Sequence, residues 1–241
     1  MKINSTGKSD PGLIRSNNQD AYYIDPEGRF FIVADGMGGH AGGEQASRIA
    51  TQEIQSYLTL NWSSSKSSEQ LLEEALLKAN EGILRDQQNH PERGDMGTTV
   101  VTIMFRNSEL PWCAHVGDSR LYRFRESQLE QITEDHTWVA RALKMGDITA
   151  EEARVHPFRH VLSRCLGRED LHQVDIKQVD IKAGDRFLLC SDGLTEELAD
   201  QVIASYLQEN SLPDKAAYSL IESAKEHGGH DNITVVIVTV D

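Results

Sequence analysis

The order and spacing of apolar runs in this 241-residue chain predict an α+β fold. Three short apolar runs at 98–105, 112–116 and 121–125 are joined by loops too short for a crossover helix, so an antiparallel meander is expected. Two long stretches with helical periodicity lie together between residues 43 and 88 instead of alternating with strands. Helices packed on antiparallel sheets satisfy both observations.

From the N-terminus, a weak strand signal at 21–24 precedes a strong one at 30–34, FFIVA, whose continuous apolar character is that of a buried strand. Ala46, Ile49, Ala50, Ile54, Tyr57 and Leu58 then form an i, i+3, i+4 stripe, and Leu72, Ala75, Leu76, Ala79, Ile83 and Leu84 form a second. Stripes of this kind normally pack on the protein's own sheet. The polar stretch WSSSKSSEQ between them is a loop. Beyond the three meander strands, residues 137–167 hold two short helical pieces, one opened by a Thr149-x-x-Glu152 capping box. That insert interrupts the strands and reads equally as a lid or as a surface excursion. A weaker strand at 174–181 and strong ones at 186–190 and 233–240 follow. A helix starting at Pro213 places Ala216, Ala217, Leu220, Ile221 and Ala224 on one face. No Pro-rich or charged linker divides the chain, and one domain over residues 1–241 is expected.

Composition narrows the function. With 24 Lys+Arg against 38 Asp+Glu, the net charge of −14 repels phosphate backbones and anionic lipid, which argues against nucleic acid and membrane surfaces as partners. The first ten residues carry no apolar leader core, and the strongest apolar stretch, 233–240, is far too short to span a bilayer. Three cysteines leave at least one unpaired, and Cys113 and Cys190 fall inside strand-like runs, so a reducing cytoplasm is expected.

Four aspartates sit where apolar runs begin or end: Asp35 after FFIVA, Asp118 after WCAHVG, Asp192 after RFLLCS and Asp231 before ITVVIVTV. Carboxylates gathered on one sheet rim repel one another in a low-dielectric cleft unless hard cations such as Mg²⁺ or Mn²⁺ supply the opposite charge. Asp192-Gly193 and Gly117-Asp118-Ser119 are each ordinary turn sequences taken alone, and only the set points to a polynuclear metal site. The stretch from Gly36 to Ala41 also fits a G-x-G-x-x-A dinucleotide fingerprint. Against that, Asp35 abuts the turn where a pyrophosphate would sit, and no second parallel strand with an acidic ribose ligand follows. Arg15 has the guanidinium to bind two phosphate oxygens at once, or is a surface arginine. Asp20 and Gln19 can hold metal-bound water or cap a turn. His40, in the glycine-rich loop after Asp35, can reach a leaving group; His136 follows a strand, and a structural imidazole is the ordinary role for either.

The segments RSNNQD, VADGMGGH, MGTT, HVGDSRLYR, TEDHT, CLGRED, LLCSDGL and HDNITVV occur in the order found in metal-dependent serine/threonine protein phosphatases of type 2C. Over residues 12–240 the chain resembles the compact bacterial form of that family, and among its members those of cyanobacteria that act on the phosphorylated signalling protein PII. The resemblance implies an αββα sandwich of two antiparallel sheets flanked by helices, with metals in a cleft at one end. It implies that Asp35 bridges two metals, that the Gly36 carbonyl binds one, and that Asp192 and Asp231 complete the pair. A third cation would be held by Asp118 with Asp192, phosphate by Arg15, and an outer shell by Asp20 and Gln19.

The implied reaction is direct hydrolysis by a metal-bridging hydroxide, with a phosphoprotein substrate such as phospho-PII and a monomeric enzyme. Two positions depart from the family: Gln19 stands where many relatives have Glu, and Met37 where animal relatives have a histidine proposed as general acid. His40, or a water on the third cation, is then the proton donor. The insert at 137–167 corresponds to the family's variable flap, where His156, Arg159, His160 and Arg164 are candidate substrate contacts or simply solvated. A catalytically dead fold acting as a binding module is the competing class, disfavoured by the complete set of acids. Structural Ca²⁺ sites are disfavoured because the twelve-residue loop spacing is missing.

Overall fold

Along FFIVA, Phe30 and Ile32 pack among helical residues while Phe31 and Val33 enter a second apolar cluster, so both faces of the strand are covered. The same division recurs at the other end of the chain, where Val235 and Ile237 face helices and Val236 and Val238 face the second cluster. These strands therefore read as continuous apolar runs without alternation.

The computed structural model describes residues 2–39, 42–107 and 110–241, the side chain of Arg154 excepted. Its elements in chain order begin with β1 (Ile3–Asp10), β2 (Asp20–Ile24), β3 (Phe30–Met37), α1 (Gly42–Asn61) and α2 (Ser68–Asn89). There follow β4 (Gly97–Thr98), β5 (Val100–Met104), β6 (Trp112–Val116), β7 (Arg120–Arg125) and β8 (Gln128–Gln131). The flap contributes α3 (Trp138–Met145) and α4 (Ala150–Val155), and the chain closes with β9 (Asp175–Gln178), β10 (Arg186–Cys190), α5 (Asp192–Thr195), α6 (Asp200–Glu209), α7 (Pro213–Glu226) and β11 (Ile233–Val240).

One sheet has the order β1-β11-β10-β7-β8; the other has β2-β3-β5-β6-β9, with β4 paired to β3. All pairings are antiparallel. Phe31, Val101, Ile103, Leu121, Phe187, Leu189 and Val236 fill the space between the sheets. The predicted stripes of α1 and α2 cover the β3 sheet, and the predicted stripe of α7, joined by α6, covers the β11 sheet. The result is the expected αββα sandwich. Among the described residues no helix is long and apolar enough to cross a membrane. Cys113, Cys165 and Cys190 are free thiols, the first and last buried.

The expected three-stranded meander is corrected. β5 and β6 pair, but β7 leaves that sheet and lies beside β10, and β6 takes β9 as its second neighbour. The chain passes between the sheets at Gly117–Asp118–Ser119. There Gly117 adopts φ +104°, its backbone groups bond to His136, and the Ser119 hydroxyl bonds to Thr99 at 2.6 Å. Groups that a hairpin would pair across strands are occupied by tertiary partners instead. The strand expected at 98–105 is interrupted at Thr99, whose amide donates to the Asp35 carbonyl at 2.8 Å. The polar edge strand β1, the strand β8 and helix α6 are additions to the sequence reading. The predicted capping box at Thr149 and Glu152 forms, with bonds of 3.2 and 2.8 Å.

Candidate active site

Asp35 lies two residues before the end of β3, set opposite Asp20 in the register with β2. Asp118 lies in the turn that crosses between sheets, Asp192 opens α5 straight after β10, and Asp231 precedes β11. All four predicted metal acids line one cavity of about 1000 Å³, together with Arg15, Gln19, Gly36 and Met37. The connection is three-dimensional: these residues come from both sheets and meet only because the sheets face each other.

Backbone and hydroxyl groups hold the acids in place. Thr99 Oγ1 accepts from the Asp35 amide at 3.0 Å, and Thr98 Oγ1 donates to the Asp35 carbonyl at 2.7 Å. The Ser191 hydroxyl donates to Asp20 Oδ2 at 2.7 Å. Arg15 Nη2 donates to Asp231 Oδ2 at 2.6 Å, so the candidate phosphate-binding guanidinium reaches the same rim. Its loop is stapled by Asn232. That side chain accepts from the Gln19 amide at 2.7 Å and donates to the Pro11 and Asn17 carbonyls at 3.0 and 2.9 Å. Gly36 permits a close approach of α1: a Cβ there would lie 2.0 Å from the Gly43 carbonyl oxygen.

The electrostatics express the crowding. Burial, then repulsion by Asp20, Asp192 and Asp118, pushes Asp35 well above the usual carboxylate range. Burial followed by Asp192 does the same to Asp118. Burial raises Asp192, with Asp35 close enough to hydrogen-bond and Asp231 adding repulsion. Asp20 is pushed up to about 7, chiefly by burial. Asp192 Oδ1 and Asp20 Oδ1 are buried with no hydrogen-bond partner among the described residues. Orphaned carboxylate oxygens beside mutually repelling acids are the donor set that hard divalent cations require. The residues therefore fit Mg²⁺ or Mn²⁺.

The remaining predicted residues divide. Gln19 joins the rim through its backbone, and its Nε2 contacts the Gly38 carbonyl at 3.4 Å. His40 lies outside the described residues. His160 and Arg164 line the cavity, the first ion-paired with Glu196 and the second with Asp175 at 2.7 Å. His156 stacks on Trp138 with ring centroids 4.7 Å apart, and its Nδ1 accepts from the Phe158 amide at 3.1 Å, which occupies it within the flap. Arg159 is exposed and does not line the cavity. Sequence reasoning missed Thr99, Ser191 and Asn232 as positioning groups. Only the adjacency of Asn232 to Asp231 hinted at one of them.

An αββα sandwich with an acid-lined cleft fit for hard divalent cations defines the class of this chain. The protein phosphatase 2C family model matches residues 15–221, and the chain belongs to that family. It is 38% identical over 245 residues to the serine/threonine protein phosphatase PstP of Mycobacterium tuberculosis, a match that covers all of this chain and 45% of that protein. It thus spans about half the length of that relative. The serine/threonine phosphatase stp of Listeria monocytogenes is 34% identical over 239 residues, covering 97% of this chain and 94% of that protein. The crystal structure of the M. tuberculosis PstP/Ppp superimposes with a TM-score of 0.89 at 36% identity, covering 99% of both chains. A structure of the PstP catalytic domain in complex with two manganese ions gives 0.84 at 35% identity, again over 99% of both chains.

Proposed function

We propose that this chain hydrolyses phosphoserine and phosphothreonine esters of phosphoproteins with bound Mg²⁺ or Mn²⁺. The observation that carries the reading is the meeting of Asp35, Asp118, Asp192 and Asp231 in one cavity, with Arg15 bonded to the rim. Asp35, the Gly36 carbonyl, Asp192 and Asp231 would hold two cations, and Asp118 with Asp192 a third. When bound, such cations lower the pKa of water and offset charge on phosphoryl oxygens. The two manganese ions of the PstP structure support the binuclear part.

The chain's own residues do the rest. Asp231 keeps the half-exposed Arg15 aimed across the cleft, where its fork can take two phosphoryl oxygens. Asp20, held by Ser191, and Gln19 stand outside the acids and orient water. Met37 lines the cavity and has no proton to give, so His40, by its position in the sequence, is the proposed donor to the leaving serine. The flap, 137–167, gives His160, Leu162, Ser163, Arg164 and Cys165 to the cavity wall and presents the rest of its surface to the phosphoprotein.

We assign residues 1–241 to one catalytic domain, acting as a cytoplasmic monomer, with phosphorylated PII as the substrate to be tried first. The complete set of acids opposes a dead fold kept for binding. The test is hydrolysis of phosphoserine-PII and of unrelated phosphopeptides after exhaustive chelation and again with Mn²⁺. Chelation should abolish turnover and Mn²⁺ restore it; turnover that survives chelation overturns the mechanism. Equal kcat/KM on PII and unrelated phosphopeptides overturns the substrate assignment alone.

A further inference from the structure

His136, on the segment between β8 and α3, joins parts of the cleft that lie far apart in sequence. Its Nδ1 accepts from the Gly117 amide at 3.1 Å, and its own amide donates to the Gly117 carbonyl at 3.0 Å. Both backbone groups of the residue before Asp118 are therefore tied to one side chain and its backbone. The His136 carbonyl accepts from the Ser163 amide at 2.8 Å, where the flap returns to the cleft. Across the ring, Nε2 lies 3.2 Å from Asp175 Oδ2, and Asp175 Oδ1 accepts from Arg164 Nη1 at 2.7 Å. Asp118, Arg164 and Asp175 all line the cavity.

The donor pattern decides the state of the ring. An Nδ1 that accepts an N–H leaves the proton of a neutral imidazole on Nε2, which faces Asp175 Oδ2 at 3.2 Å as a polar contact without hydrogen-bond alignment. Burial holds His136 neutral, its pKa pushed down to about 4. His115 stacks on it with centroids 4.5 Å apart, and its Nε2 meets the Glu134 carbonyl at 2.8 Å. His115, His136 and Asp175 are close enough to suggest a second metal site. The tautomer argues against it, because His136 would have to surrender the Nε2 proton or the Gly117 bond to become a ligand.

We propose that His136 is a positioning residue with two arms: through Gly117 it sets the Asp118 turn, and through Asp175 it aims the Arg164 guanidinium at the bound phosphopeptide. The first arm rests on the reading of Asp118 as a ligand of the third cation. Gly117, at φ +104°, is a hinge where few side chains could stiffen the backbone, so the turn needs an outside anchor.

Two substitutions separate the arms. In His136→Asn the amide oxygen falls where Nδ1 was and keeps the Gly117 bond, but it is too short to reach Asp175. In His136→Gln the amide reaches toward Asp175 and loses Gly117. Mn²⁺ titration calorimetry on the full chain should show the weakest site weakened about tenfold in His136→Gln and little changed in His136→Asn, the scale on which supports of metal ligands act. With a phosphoserine peptide, KM should rise several-fold in His136→Asn and equally in Asp175→Asn, with kcat for an aryl phosphate less affected. A purely structural histidine would lower the melting temperature of both His136 variants and separate neither arm. Asp175→Asn, at a partly exposed position, keeps the second arm testable should the His136 variants fail to fold. Asp118→Asn is the reference: full Mn²⁺ stoichiometry there refutes the Asp118 reading. Loss of an ion there, with His136→Gln binding like wild type, refutes the role of His136. Unchanged KM in Asp175→Asn refutes the second arm.

Discussion

At the aspartate rim, buried hydroxyls fasten Asp35 and Asp20, whereas the flap across the same cavity leaves Trp138, Met145, Val155 and Phe158 exposed. The rim carries charge that cannot be relaxed by moving apart, because Thr98, Thr99, Ser191 and Asn232 hold its backbone. The flap carries apolar surface on two short helices fastened mainly at their ends, by the Thr137–Leu162 bridge and the Trp138 amide to the Val161 carbonyl at 2.8 Å. A rigid rim suits chemistry, which needs fixed geometry. A loosely fastened apolar flap suits recognition of varied protein surfaces.

The largest effect should come from the rim. Asp192→Asn, assayed with saturating Mn²⁺, removes a proposed ligand of the centre and should forfeit several kcal/mol of transition-state stabilisation, on the order of 10³-fold in kcat. Wild-type turnover would remove Asp192 from the metal set. Next, Asn232→Ala strips the staple from the Arg15 loop and leaves the Gln19 amide and two carbonyls without their partner. Denaturant unfolding should show a loss of about 1–3 kcal/mol, and KM for a phosphopeptide should rise. Were KM unmoved, the Arg15 loop would have to be held by other contacts.

A smaller effect tests the charge argument. Asp20 binds its proton more tightly folded than unfolded, so its contribution to stability is full below the ordinary carboxylate pKa and is lost as pH rises through about 7. Chelated protein should therefore melt at progressively lower temperature as pH rises from 5 to 8, and Mn²⁺ should flatten that slope. A chelated protein with a level profile would show that the acids are not under strain. The smallest effect belongs to the flap: Trp138→Ala should change KM for a phosphoprotein a few-fold and shift aryl phosphate hydrolysis less. Equal shifts in both assays would make the flap part of the reaction itself.

Much of the rim was legible because an acid at the end of an apolar run is a local signal. Asp35, Asp118, Asp192 and Asp231 all meet as the spacing predicted. Asn232 and Thr99 were not legible as supports, since their partners lie 215 and 64 residues away and an isolated Asn or Thr says nothing about them. His136 looked like any structural imidazole until Gly117 and Asp175 were found on either side of it. The meander failed for a similar reason. Loop length argues for a hairpin, yet the Gly117 turn is held by Thr99 and His136 in a path that carries β7 into the other sheet. The edge strand β1 has a polar sequence, and its pairing with β11 runs through backbone groups that leave no side-chain pattern.

By itself the sequence determined the class of fold, the helical faces that cover the sheets and the acids that ask for cations. Those follow from hydrophobic periodicity and from the placing of an acid at the end of an apolar run, both of which are patterns among neighbours in the chain. Tertiary structure alone decided which sheet β7 joins, how the Arg15 loop is pinned beside Asp231, and that one neutral imidazole stands between Asp118 and Arg164. Each depends on hydrogen bonds whose donors and acceptors are brought together only when the two sheets close on their shared core.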